Sequence, residues 1–148
     1  MSKVIEIAIS KNSGGKVENV TSVEATKGKG LKGDRKFRIN NNVKSQLTLI
    51  EIENINYYNE ISGSILKPKD FRRNIVTEGV DLNNLVNKEF FIGKVKVKGH
   101  DLCRPCKYLE NLLNQKNLVK PLMLKAGLRC EILTTGQIEV NNIIKTND

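Results

Sequence analysis

The stretch Phe90 to Val97, FFIGKVKV, sets aromatic and β-branched residues on both sides of Gly93. Such residues suit a pleated, half-buried surface, and a glycine between two such runs signals a hairpin. Two antiparallel strands turning at Gly93 are therefore expected. Upstream, Ile5, Ile7 and Ile9 alternate with other residues, so a first strand over Met1 to Ser10 should carry all three on one face. Asn12 to Gly15 reads as a turn and Val17 to Ala25 as a second strand. Gln46 to Ile50 and Asn74 to Thr77 read as two more, the latter ending at Glu78-Gly79. Near the end, Cys130 to Thr134 and Gln137 to Ile144 meet at Thr135-Gly136 and read as a closing hairpin.

Two segments change period. Ile52, Ile55 and Tyr58 lie three apart and would line a helical face until Gly63 and Pro68 stop it. After Cys106, Leu109, Leu112 and Leu113 fall at helical spacing, and Pro105 suits a first turn, where its missing N–H costs nothing. Lys27 to Asn42, rich in Gly, Lys, Arg and Asn, shows little periodicity and reads as a loop long enough to suggest a role. Many short strands with few helices predict a mainly β barrel or sandwich rather than a doubly wound sheet. No linker or repeat divides residues 1–148, so one domain is expected, of a length able to bury a real core.

The net charge of +9 admits a solvated basic surface, an anionic small-molecule site or a nucleic-acid groove. The lysines are scattered, base-stacking aromatics are few and Trp is absent, which ranks nucleic acid last. No apolar run approaches the ~20 residues of a membrane span, and the start lacks the apolar core of a signal peptide, so a cytoplasmic protein is expected. Cys103, Cys106 and Cys130 are odd in number, which disfavours a disulfide framework and raises thiol chemistry or metal binding.

Three motifs could carry chemistry. In His100-Asp-Leu-Cys103-Arg-Pro-Cys106-Lys107, Cys106 would open a helix between Arg104 and Lys107, and both the helix terminus and the cations favour a thiolate. His100, Cys103, Cys106 and Cys130 would alternatively supply four zinc ligands, though without paired-knuckle spacing. Cys103 and Cys130 also fit simple burial as small apolar residues. His100 suits an acid/base role, thiol pairing or a structural hydrogen bond. Phe71-Arg72-Arg73-Asn74-Ile75 brings two guanidiniums to a strand entrance, suited to phosphate or carboxylate, or else to plain surface solvation. Gly30-Leu-Lys-Gly33-Asp34-Arg35-Lys36 combines glycines with cations, but has neither P-loop nor dinucleotide spacing. Exposed lysines such as Lys16 read as bystanders.

Taken in order, these motifs resemble the MOSC family, the C-terminal domain type of molybdenum-cofactor sulfurases. The resemblance rests on Gly30-Leu-Lys-Gly33-Asp34, Gln46 to Glu51, and Phe71 to Ile75 running into Thr77-Glu-Gly-Val-Asp-Leu82. It continues through Ile92-Gly-Lys-Val-Lys-Val97, the Cys103 to Cys106 element and Gly127-Leu-Arg-Cys130. It implies a mainly β, barrel-like fold similar to the small β-barrel domain of pyruvate kinases, with two or three short helices. It also implies association with the molybdenum cofactor (molybdopterin), as a cofactor sulfurtransferase or part of a molybdenum-dependent reductase of N-hydroxylated compounds. Partners would be the cofactor's biosynthetic or acceptor enzymes, and a cysteine desulfurase.

On that resemblance Cys106 is the functional cysteine, carrying sulfur or ligating molybdenum, with Cys103 and His100 beside it. Gly33, Asp34, Arg35, Arg72, Asn74 and Lys107 would contact the cofactor. The chain departs from the family where Arg35-Lys36-Phe37 replaces a frequent histidine and Asn141-Asn142 replaces a frequent Gly-Asp. A zinc-stabilised binding module and a basic barrel for single-stranded nucleic acid are the rival readings.

Overall fold

A computed structural model describes residues 1–12, 15–105, 110, 111, 113, 118 and 120–146. The strands are β1 (Lys3–Ser10), β2 (Val17–Val20), β3 (Ser22–Thr26), β4 (Gly30–Leu31), β5 (Leu47–Glu51), β6 (Ile75–Glu78), β7 (Glu89–Ile92), β8 (Val95–Leu102), β9 (Leu128–Ile132), β10 (Gly136–Glu139) and β11 (Ile144–Thr146). One helix, α1 (Ile52–Ser62), and two 3-10 turns, Pro68–Phe71 and Leu82–Leu85, complete the described elements. The fold is mainly β and barrel-like, as expected.

Eight strands form one sheet in the order β11-β7-β8-β9-β5-β6-β1-β2, and β10-β3-β4 form a second. The larger sheet curls until its ends meet. Val4 N–H donates to Asn142 O at 2.9 Å, Asn141 N–H to Val4 O at 2.8 Å and Ile144 N–H to Ser2 O at 2.9 Å. These bonds satisfy edge groups that an open sheet would leave unpaired. The FFIGKVKV stretch forms the expected hairpin, with Ile92 opposite Val95 across Gly93-Lys94.

The main core lies inside the curl and mixes both sheets: Leu47 and Leu49 of β5, Ile75 of β6 and Val97 of β8 pack with Val23 and Ile138. A second cluster covers the outer face of β5 and β6, where Ile55 and Tyr58 of α1 meet Ile50, Phe71 and Val76. β5 is consequently buried on both faces, and its run of apolar residues follows from that. Helix α1 ends at Gly63, as its sequence predicts.

Three strand expectations are corrected. Ile5 leaves the face of Ile7 and Ile9 because β1 bulges between Val4 and Glu6, so Val4 enters the main core and Ile5 packs on the second cluster. The stretch Val17 to Ala25 is two strands: β2 pairs with β1, whereas β3 pairs with β10. Finally, β9 and β10 form no hairpin. β9 lies between β8 and β5, β10 joins β3, and Thr135 carries the chain from one sheet to the other. The helix expected after Cys106 falls outside the described residues, as do Cys106 and Lys107.

Candidate functional site

Two of the three motifs converge where β1 ends. Gly33, at φ 90, turns the loop after β4 in a conformation side chains rarely adopt. Asp34 then pins that loop to the strand: its Oδ1 accepts Ser10 N–H at 2.9 Å, while Arg35 N–H donates to Ser10 O at 2.7 Å. Asn41 holds the far side, its Nδ2 donating to Lys36 O at 2.6 Å and Lys29 O at 2.9 Å. Facing this loop, the 3-10 turn Pro68–Phe71 delivers Arg72 and Arg73. Arg35, Lys36, Arg72 and Arg73 thereby surround a small notch of about 20 Å³, beside Asp34 and Asn74.

Arg72 is the most informative residue. Its backbone is left-handed, at φ 60, a conformation that costs a side-chain-bearing residue about 1–2 kcal/mol. Its Nη2 is buried and has no hydrogen-bond partner among the described residues. A buried donor left unsatisfied costs about 1–3 kcal/mol. A strained residue holding an orphaned cationic donor at a basic notch is chemically suited to an anion.

Asn74 lines the notch with its amide committed to the scaffold. Oδ1 accepts Thr48 N–H at 3.1 Å, and Nδ2 donates to Ala8 O at 3.1 Å, tying β5 and β1 to the start of β6. Arg73 donates from Nε to Ala126 O at 2.9 Å, which fixes its guanidinium against the wall. Lys36 is half-buried, and burial pushes its ammonium below the usual lysine range. Arg35 and Arg73 push the same way, while Asp34 and the Cys103 thiol oppose them.

Cys103 directly follows β8. Its backbone N–H donates to Gly127 O at 2.7 Å, and its side chain is buried. His100 is held elsewhere: its Nε2 meets Glu131 Oε1 at 2.8 Å, and it does not line the notch. Cys130 points into the main core, whereas Glu131, next to it on β9, projects from the opposite face. His100 and Cys130, two of the expected zinc ligands, therefore lie on opposite sides of the sheet. Among the described residues no group of three or more His, Cys, Asp or Glu side chains is arranged to hold a metal ion.

The notch shares lining residues with two further hollows. Arg35 and Lys36 also border a hollow of about 420 Å³ with Arg38 and Asn40 to Asn42. Arg72 and Val17 also border one of about 360 Å³ with Lys16, Lys69 and Leu113. Lys16, a bystander by sequence, is therefore part of the cleft wall. Arg73 is one of the two guanidiniums that its motif offered to an anion, and Lys36 stood in its motif without a role of its own. Lys16 and Lys69 carry no motif at all, since only folding brings β2 beside the 3-10 turn.

The sequence profile of the MOSC domain matches residues 22–145. The chain belongs to the MOSC domain family. MOSC domains are associated with molybdenum-cofactor-sulfurase-like proteins, and the residues matched include Arg35, Lys36, Arg72 and Arg73 around the notch. The crystal structure of the YuaD protein from Bacillus subtilis superposes with a TM-score of 0.84 at 16% identity, covering 100% of this chain and 98% of that one. YiiM from Geobacillus stearothermophilus gives 0.78 at 17% identity, over 100% of this chain and 76% of that one. YiiM from Escherichia coli gives 0.74 at 14% identity, over 99% and 70%. At these identities the likeness is one of fold. No curated relative matches the chain. No helix among the described residues is long and apolar enough to cross a membrane.

Proposed function

We propose that this MOSC domain binds the molybdenum cofactor by its anionic groups in the basic cleft and serves it with a reactive cysteine, Cys106. The observation that carries the reading is the buried, unpartnered Arg72 Nη2 at a notch ringed by Arg35, Lys36 and Arg73. A phosphate there would accept from Arg72, and the cations would lower the cost of bringing its charge against a half-buried wall. Asp34 and Asn74 support the site, Asp34 by bonds to Ser10 and Lys36 N–H and Asn74 by bonds to Thr48 and Ala8. Gly33 shapes the loop.

The bound cofactor supplies a redox-active molybdenum centre. The chain supplies the grip and the thiol. Cys106 follows Cys103 by three residues, a stretch of at most about 11 Å when extended. As a sulfur carrier, the Cys106 thiolate attacks the outer sulfur of a desulfurase persulfide. A Cys106 persulfide forms and the desulfurase thiolate leaves, with no net oxidation. Cys103 would then resolve or protect that persulfide, and Lys107 adds charge that favours the thiolate. Among the described residues no aromatic side chain lines the cleft, so these residues offer a single strand no stacking platform.

Titration with a phosphorylated pterin tests the grip. Arg72→Ala should weaken binding by about 2 kcal/mol, as expected for a lost charge-assisted contact. Unchanged affinity would refute the cleft as the site. Intact-mass measurement after incubation with a desulfurase and labelled sulfur tests the thiol: one added sulfur on wild type and none on Cys106→Ser is expected. No adduct, with molybdenum retained by the protein, would make Cys106 a metal ligand instead.

A further inference from the structure

Strand β6 begins beside Asn74, which lines the notch, and ends at Glu78, where a second face is assembled from three segments. Glu53 Oε2 accepts Gly79 N–H at 2.9 Å, and Glu51 Oε2 accepts Leu82 N–H at 3.3 Å, which ties α1 to the 3-10 turn Leu82–Leu85. Asn83 Nδ2 donates to Leu124 O at 2.8 Å, and Lys125 Nζ stands 5.1 Å from the centre of the Tyr57 ring. These two contacts bring the stretch 120–125 against both.

The outward side of α1 carries more than solvating groups. Glu53, Tyr57, Glu60 and Ile61 recur at helical spacing and are exposed, opposite the buried Ile55 and Tyr58. Beside them, Met123 and Leu124 are 59% and 66% exposed. Leu124 is also left-handed, at φ 64, a conformation unfavourable for any residue with a side chain. Large apolar side chains gathered on one face, within a rim of charge, mark an interaction surface.

Charge identifies the occupant. A net charge of +9 keeps copies of the chain apart over most of its surface. This face is the exception, because residues 51–62 and 78–85 hold five carboxylates and no lysine or arginine. Lys125, and Lys120 whose O accepts Met123 N–H at 3.3 Å, border the same apolar residues. A basic partner would meet those lysines, and an acidic one the carboxylates. A two-fold axis through the face instead sets the acids of each copy against the lysines of the other, the self-complementarity that an isologous pair requires.

We infer that this face pairs two copies of the chain, α1 against α1, with Tyr57, Ile61, Met123 and Leu124 at the centre. Both notches stay open, since Asn74 lies at the other end of β6. The pairing does not depend on the cofactor reading.

Sedimentation equilibrium of the intact protein, from dilute to the highest attainable concentration, is the test. The mass should rise from one chain to two and stop there. Met123→Asp should raise the dissociation constant about tenfold or more, as expected when a central apolar contact is lost. Leu124→Gly should weaken pairing with the fold intact, because glycine adopts that backbone freely. Ile39→Asp makes the same change of charge at an exposed site beside the notch and should pair like wild type. A single-chain mass at every concentration would overturn the inference. So would a dimer that Met123→Asp and Leu124→Gly leave undisturbed, or one that Ile39→Asp weakens equally. Assembly beyond two chains would overturn the two-fold arrangement. Amide exchange in α1 should slow as concentration rises, and slowing confined to the Phe90 to Val97 hairpin would also overturn the assignment.

Discussion

Asp34 holds Ser10 at the mouth of the cleft with its neighbour's help: the Asp34 carboxylate accepts the Ser10 N–H, and the adjoining Arg35 N–H returns a bond to Ser10 O. An acid therefore positions the cations that bind an anion. Removing Asp34 has two opposed consequences. Charge alone predicts tighter anion binding in Asp34→Ala, whereas loss of the anchor lets Arg35 and Lys36 drift. One anchoring hydrogen bond is worth about 1 kcal/mol, so phosphate binding should weaken several-fold in Asp34→Ala. Asp34→Asn keeps the acceptor oxygen and removes the charge, so it should bind at least as tightly as wild type. Titration with inorganic phosphate compares them, and tighter binding in Asp34→Ala would show that the anchor is unimportant.

Arg72 separates stability from binding. Glycine relieves the left-handed strain at φ 60 but adds freedom to the unfolded chain, and the two effects are each about 1 kcal/mol. Arg72→Gly should stay within about 1 kcal/mol of wild type in denaturant unfolding, whereas Arg72→Ala keeps the strain. Both should lose anion affinity to the same extent. An Arg72→Gly protein unfolding far more easily would mean that the guanidinium has structural partners.

Much of this was legible in the sequence. The Phe90 to Val97 hairpin, the helix set by Ile55 and Tyr58, and the coming together of the Asp34 and Arg72 motifs follow from local pattern and resemblance. The errors share a cause. Period-two reading cannot see the bulge after Val4, nor that β2 and β3, one residue apart, pair with different sheets. Thr135-Gly136 has hairpin chemistry, yet the partners of β9 and β10 are chosen by burial of Cys130 and Ile138 within one core. Lys16 and Lys69 were invisible as site residues because their proximity is tertiary. Asn74 carried a family motif, but its amide holds strands rather than presenting free donors.

The cysteines should differ in reactivity. Burial in the main core pushes the Cys130 thiol well above its ordinary range, and the nearby Cys103 adds to the effect. Cys130 should resist alkylation through neutral and mildly alkaline pH, because thiolate is the reactive form. Cys106, flanked by Arg104 and Lys107, should alkylate first. Timed iodoacetamide labelling with peptide mass mapping ranks the three. Cys130 reacting fastest would contradict both its burial and the role given to Cys106.

Lys36 should give the cleft a pH response. Burial, then Arg35 and Arg73, hold its folded pKa below that of an unfolded lysine, near ~10.4. Between the two values the unfolded chain binds more protons, so stability gains with rising pH from this residue. Anion binding runs the other way: it falls as pH rises through the folded value and the cation is lost. A bound anion favours the ammonium, so binding in this window should draw a proton from buffer. Calorimetry in buffers of different ionisation enthalpy would detect that uptake. Lys36→Met should abolish it and weaken phosphate binding at neutral pH, while Lys36→Arg should keep affinity and flatten its pH profile. Equal proton uptake by wild type and Lys36→Met would assign the titration to another group.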